Sequence, residues 1–181
     1  MRRGLLLAVL ALTGALLGGC SGINPKDYAD SKPIFRIERY FDGHVRAWGM
    51  FQGRSGEVKR RFTVDVHGHT EGDEFILREH FKYADGSTQK RVWHIRRLDD
   101  HHYEGRAGDI VGVAKGTRYG NALHWHYTLA LPVDGDTWHL KFNDWMYLQE
   151  DGVMINRTSV SKYGFHVGDV TIAFRKQDGS E

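Results

Sequence analysis

From Phe35 onward, apolar residues recur at every second position, the period of a half-buried strand rather than a helix. Val58, Phe62, Val64 and Val66 alternate with polar neighbours, as do Phe75, Leu77, Phe81 and Tyr83, then Trp93 and Ile95. The longest clean run is Leu123, Trp125, Tyr127, Leu129 and Leu131. Trp138, Leu140, Phe142, Met146 and Leu148 repeat it, and Val170, Ile172 and Phe174 close the series. Turn signals separate the runs: Asp42-Gly43, Gly53 to Gly56, Gly68 to Asp73, Asp85-Gly86, Asp99-Asp100, Asp134-Gly135 and Asp151-Gly152. Glycine after Asp supplies the positive φ that a tight hairpin demands. The spacing predicts about nine or ten strands joined mostly by short turns, with no long helix and no internal repeat. A meander of that length exposes two edges unless it closes. The expected fold is therefore all-β, a single antiparallel up-and-down β-barrel spanning residues 34–177, with a β-sandwich as the alternative.

The polar positions of these runs carry Lys59, Arg61, Asp65, Lys82, Lys90, His124, His126, His139 and Lys141. An apolar-in, charged-out wall belongs in water rather than in a bilayer. Five polar residues break the pattern by falling in phase with the apolar face: Glu79, Arg91, Asp109, Asn121 and Asp144. If they point inward they must be paired, because an isolated buried charge is costly. Glu79 and Arg91 face each other across the hairpin turned at Asp85-Gly86. Three readings stay open for this set: a structural ion-pair network, a polar floor that orients a ligand head group, or acid/base catalysis by Glu79 or Asp144 with a raised pKa.

Trp48, Trp93, Trp125, Trp138 and Trp145 are candidates to line such a cavity, or simply core. Eleven histidines, including the pairs His67/His69, His101/His102 and His124/His126, suggest metal at first sight. Their positions fall on the polar face or in turns, so no metal site is expected. The glycines of Gly105 to Gly108 and Gly112 to Gly120 precede no helix and read as bulges or close strand crossings. No nucleophile elbow, phosphate loop or dinucleotide fingerprint is present, and no cofactor is expected.

The first residues change the picture. Arg2 and Arg3 precede an apolar run from Leu5 to Leu12, which continues to small residues and ends in Leu17-Gly18-Gly19-Cys20. Basic start, short apolar middle and small residues are the layout of a signal peptide, here 1–19. The ending resembles the bacterial lipoprotein box, which implies lipidation at Cys20 and a membrane anchor there. Several acyl chains anchor stably where one does not. Ser21 after the cysteine resembles an outer-membrane sorting signal, so the expected location is the outer membrane, facing the periplasm. Residues 20–33, with Gly22, Asn24, Pro25 and Pro33, read as a tether, and 178–181 as a tail.

Composition adds exclusions. The 181 residues hold 25 Lys+Arg against 23 Asp+Glu and a single cysteine. Arg2 and Arg3 account for the whole excess, so the chain after the leader is neutral, which argues against a nucleic-acid partner. One cysteine excludes an intrachain disulfide.

Four stretches carry a family resemblance: FDGHVRAWGMFQGRSGEVKRRFTVDVHG, EHFKYADGSTQKRVW, GDIVGVAKGTRYGNALHWHYTLALPVDGDTWHLKFNDWMY and INRTSVSKYGFHVGDVTIAFRK. From about Phe35 to Lys176 the chain resembles an uncharacterised family of proteobacterial lipoproteins, domain of unknown function 3833. Phe41-x-Gly43 followed by Trp48 is similar to the Gly-x-Trp start of lipocalin-like barrels, with altered spacing. The family resemblance implies company with fatty-acid-modifying enzymes, hence lipid handling. Asn143 stands where it would lead one to expect a second acidic residue beside Asp144, which weakens a paired-carboxylate mechanism. The resulting expectation is a lipid-anchored barrel that binds or helps to handle a fatty acid or other lipid. A dehydratase or isomerase acting on a lipid, and a purely structural envelope protein with an unknown protein partner, are the alternatives.

Overall fold

A computed structural model describes residues 22–133 and 135–177. The leader, Cys20 and the tail at 178–181 lie outside the described residues. Ten strands form one closed antiparallel barrel: β1 (Gly43–Gly53), β2 (Val58–Glu71), β3 (Glu74–Tyr83), β4 (Thr88–Arg97), β5 (His102–Arg106), β6 (Ala114–Tyr119), β7 (Ala122–Val133), β8 (Asp136–Leu148), β9 (Val153–Lys162) and β10 (Phe165–Lys176). Each strand pairs with its chain neighbours, and β1 closes the barrel on β10 from Val45↔Lys176 to Gly53↔Gly168. Closure removes the free edges that the open meander would present.

The alternation works as read: Val64, Val66, Phe75, Leu77, Trp93, Ile95, Leu123 and Trp125 are buried, while Lys59, Arg61, Lys82, Lys90 and Lys141 are exposed on the outside. The turn expected over Gly68 to Asp73 is shorter. Strand β2 runs on to Glu71, and only Gly72-Asp73 turn. Strand β9 left no entry among the sequence runs because its inward residues Met154, Asn156, Thr158 and Val160 mix polar with apolar.

One end of the barrel is plugged. Helix α1 (Ile37–Tyr40) and its flanks bring Phe35, Ile37, Tyr40 and Phe41 over the start of β1. Phe35 is completely buried, and the ring of Phe41 meets Phe174 edge-on at 5.6 Å. Burying each such side chain contributes about 1.5–3 kcal/mol. The Tyr40 hydroxyl donates to the Phe174 carbonyl at 3.0 Å, and the Tyr103 hydroxyl to Glu38 at 3.0 Å, which pins the helix. Below the plug, Val45, Val66, Leu123 and Met154 are each at most 1% exposed. At the opposite end Phe51, Phe62, Tyr83, Leu131 and Trp138 are only half-buried, so that end is open.

Part of the stretch read as a tether touches the barrel, while most of its described residues stay exposed. A 3₁₀ turn at Pro25–Tyr28, capped by Asn24, places the Tyr28 ring against Trp145 and Tyr147. The Tyr28 carbonyl lies over Gly120, where an added Cβ would sit 1.8 Å away, and Phe35 N–H donates to the Gly120 carbonyl at 2.9 Å.

The glycines of β5 and β6 serve Trp125, not bulges. A Cβ on Gly116 would lie 2.5 Å from the Trp125 indole, and one on Gly105 would lie 2.7 Å from it. Trp125 in turn packs edge-on against Trp93 at 5.7 Å. Gly116→Ala is therefore expected to cost about 1–3 kcal/mol through overpacking, read from urea midpoints. An unchanged midpoint would show that the indole is free to move.

Candidate functional site

Between the plug and the open end the barrel encloses a cavity of about 390 Å³. Its wall is mostly aliphatic and aromatic: Phe62, Phe81, Trp93, Trp125, Trp138 and Phe142 contribute rings. Among the described residues, Arg60, Glu79, Arg91 and Asp144 are the charged side chains that line it, joined by the hydroxyls of Tyr83, Tyr127 and Thr158.

Glu79 and Arg91 are direct cross-strand partners on β3 and β4, with Arg91 Nη1 3.6 Å from Glu79 Oε2 and both side chains only 12–13% exposed. Arg91 is more tightly held by Asp109. Its Nε donates to both Asp109 oxygens at 3.0 Å, and Nη2 donates to Oδ2 at 2.8 Å. Asp109 does not reach this position as the sequence pattern expected. The stretch 107–113 is a loop, and Val111, two residues on and in phase with Asp109, is 46% exposed. This loop replaces missing wall. Pairing of β4 with β5 covers only His94 to Arg97, and the loop is stitched to β7 by Val111 N–H to the Thr128 carbonyl and Ala130 N–H to the Asp109 carbonyl, both 2.9 Å. The Arg91–Asp109 fork spans the remaining gap, so the strongest charge pair of the site sits in the wall and not on its floor.

Asp144, on β8 opposite Trp125 and Thr158, is 6% exposed. Burial raises its pKa to about 7, helped by the Glu79 charge and opposed by Thr158, Arg91 and Tyr127. Burial likewise raises the Glu79 carboxyl, with Arg91 opposing it. The Tyr127 hydroxyl is pushed well up by burial and then by the Asp144 charge. Glu79 Oε2 and Asp144 Oδ1 are buried acceptors that make no hydrogen bond, although Arg91 Nη1 lies 3.6 Å from the first. Thr158 Oγ1 instead donates to Asn156 Oδ1 at 3.0 Å.

Two sequence candidates are corrected. Asn121 is in the β6–β7 turn at the plugged end, where Nδ2 donates to the Leu148 carbonyl at 2.9 Å; a turn residue has no inward register to follow. Trp48 points outward at 47% exposure, because Val45 and Ala47 set the inward phase of β1. Trp145 is also outside the cavity, stacked on His124 at 4.5 Å. Trp93, Trp125 and Trp138 do line the cavity, and Lys162 Nζ lies 3.3 Å from the centre of the Trp138 ring. Among the described residues no three His, Cys, Asp or Glu side chains converge as a metal set.

Sequence reasoning missed Tyr127, Thr158 and Arg60. Tyr127 was visible as the one polar-tipped residue in the longest alternating run. Thr158 was masked by the weak pattern of β9. Arg60 stands at the rim, its guanidinium 3.5 Å from the centre of the Tyr83 ring and bonded to Ser87 at 2.8 Å and Asp85 at 3.3 Å.

A comparison with curated proteins found no match. Among solved structures the barrel is similar to the S-type phycobiliprotein lyase CPES from Guillardia theta, with a TM-score of 0.59 over 88% of this chain and 100% of that one. At 8% identity this is a likeness of fold. The family model described as "Protein of unknown function (DUF3833)" matches residues 14–176, and the chain belongs to that family.

Proposed function

We propose that this protein is an envelope lipoprotein, held at the outer membrane through Cys20, whose barrel takes up the hydrocarbon of a fatty acid or other lipid. The supporting observation is the cavity itself. A purely structural barrel would fill its interior with side chains, whereas this one keeps about 390 Å³ with a largely apolar wall. That volume falls in the range of roughly 300–1,000 Å³ common to small-molecule sites. Trp93 and Trp125 at its wall give the test a signal. The chain from Gly22 onward, refolded and mixed with a lipid extract, should yield a one-to-one complex by native mass spectrometry and a shifted tryptophan emission. A folded barrel that binds no component of the extract would overturn the reading.

One observation favours a second reading. A buried carboxyl poised near neutral, Asp144 at about 7, is what a general base requires. The similar barrel belongs to a protein named as a lyase, so the scaffold is compatible with catalysis as well as carriage. Under that reading Asp144→Asn would abolish conversion of the bound lipid while leaving its binding intact.

A further inference from the structure

The two acids of the cavity lie deep in it, while Arg60 and Tyr83 stand toward the mouth. On β8, Trp138 is near the open end, Leu140, Phe142 and Asp144 follow, and Met146 with Leu123, Phe174 and the plug residues Ile37 and Phe41 closes the cavity beyond them. The neighbours of Asp144 at that depth are Trp125 on β7 and Thr158 on β9. A ligand that satisfies the inner end must therefore arrive polar end first, with its hydrocarbon running back toward the mouth.

The chemistry offered there is one-sided. Glu79 Oε2 and Asp144 Oδ1 are enclosed acceptors that make no hydrogen bond, Glu79 Oε2 having only the long 3.6 Å contact with Arg91 Nη1. The cations that could balance a bound anion are already engaged: Arg91 by the two-pronged contact with Asp109 and the weaker one with Glu79, and Arg60 at the rim by Asp85 and Ser87. Around the cavity, β2 contributes Arg60, β3 Glu79 and Tyr83, β4 Arg91, β7 Tyr127 and β8 Asp144, while β9 offers the neutral Asn156 and Thr158. A carboxylate pushed to this depth would face two acids.

Resting on the lipid-carrier reading, we infer that the ligand is an alkyl or acyl molecule whose inner end is a neutral or cationic hydrogen-bond donor, such as a hydroxyl, amide or amine, and not a free carboxylate. The raised pKa of Asp144 and Glu79 agrees with this. Above their titration these groups only accept, and a donor from the ligand replaces the water they lose on burial.

The test is a panel of probes matched in chain length, decanol, decylamine and decanoate, titrated into the folded protein at pH 8 and followed by tryptophan emission. Decanol and decylamine are expected to bind at least tenfold more tightly than decanoate. At pH 5, below the titration of Asp144 and close to that of decanoate itself, the handicap of decanoate should shrink. Asp144→Asn should narrow the gap at pH 8 by raising decanoate affinity, and the wild-type ranking stands on its own if that variant does not fold. If decanoate binds most tightly, its carboxylate sits at the rim beside Lys162 and the inference is overturned while the carrier reading survives. If none of the three binds, both are overturned.

Discussion

Replacing Arg91 with methionine should cost about 3–5 kcal/mol at pH 8, the largest loss expected of any single cavity substitution. The reason is not the strength of the pair itself. Buried ion pairs often do no better than an apolar filling of the same volume, but removing one partner strands the other. Here the stranded group is Glu79, whose Oε2 has no other partner and whose side chain is 13% exposed. Asp109, at 26%, is wetter and suffers less, but its loop loses the contact that holds it to β4. Urea denaturation measures the loss. Adding Glu79→Gln should restore most of it, because the double variant leaves no charge behind. A loss below about 1 kcal/mol in the single variant would show that Arg91 is not what compensates Glu79. The deficit should also shrink as the pH is lowered, since a protonated Glu79 no longer needs a cation.

Wild-type stability should fall as pH rises from about 4 to about 7, the reverse of the behaviour of most carboxylate-rich proteins. Asp144 has a folded pKa near 7 against 3.8 for the free side chain, so across that window the folded state holds a proton that the unfolded chain has released. More protons bound in the folded state means that stability is lost with rising pH. Taken whole, a shift of this size corresponds to roughly 4 kcal/mol. Glu79, also raised, acts with the same sign. His126, lowered by burial and by its cationic neighbours, opposes them in the upper part of the window. Glu57 and Asp99 are held down to about 2 by their hydrogen bonds, so their contribution is present above about pH 4 and is lost only toward pH 2. Stability should therefore peak between pH 4 and 5. Asp144→Asn should flatten the descent, matching wild type near pH 4 and exceeding it by a few kcal/mol at pH 8. Urea curves at pH 5 and pH 8 decide this, and a wild type more stable at pH 8 would refute the assignment.

How far the site could be read in advance follows from the kind of information each residue carries. Glu79 and Arg91 were legible because both fall in phase with the apolar face on either side of a short hairpin, and the three-residue loop 84–86 then sets them opposite one another. Asp144 was legible because it interrupts a strong alternating run. Asn121 was misread because phase with Leu123 means nothing once the chain turns at Gly120, and Trp48 because β1 lacked enough large apolar residues to declare its inward face. The loop 107–113 looked like a strand, since glycines and valines fit either state locally. Its role in completing the wall depends on β5 and β6 being too short to cover β4.

By itself, the sequence determined the class. Period-two alternation over six runs with tight turns between them leaves little choice but an antiparallel all-β fold, because the face of each residue is a local property of the chain, while the closure of β1 on β10 is seen only in the structure. The lone cysteine behind a short apolar run likewise carries its expectation of lipidation without any fold. Only the tertiary structure decided that the interior keeps a cavity, that Asp109 reaches Arg91 from the wall, and that two acids deep in the cavity each keep an oxygen with no hydrogen bond. Those facts depend on strand lengths, on the plug of α1 at one end and on which side chains meet across the barrel. Such contacts join residues far apart in the chain, and no local pattern encodes them.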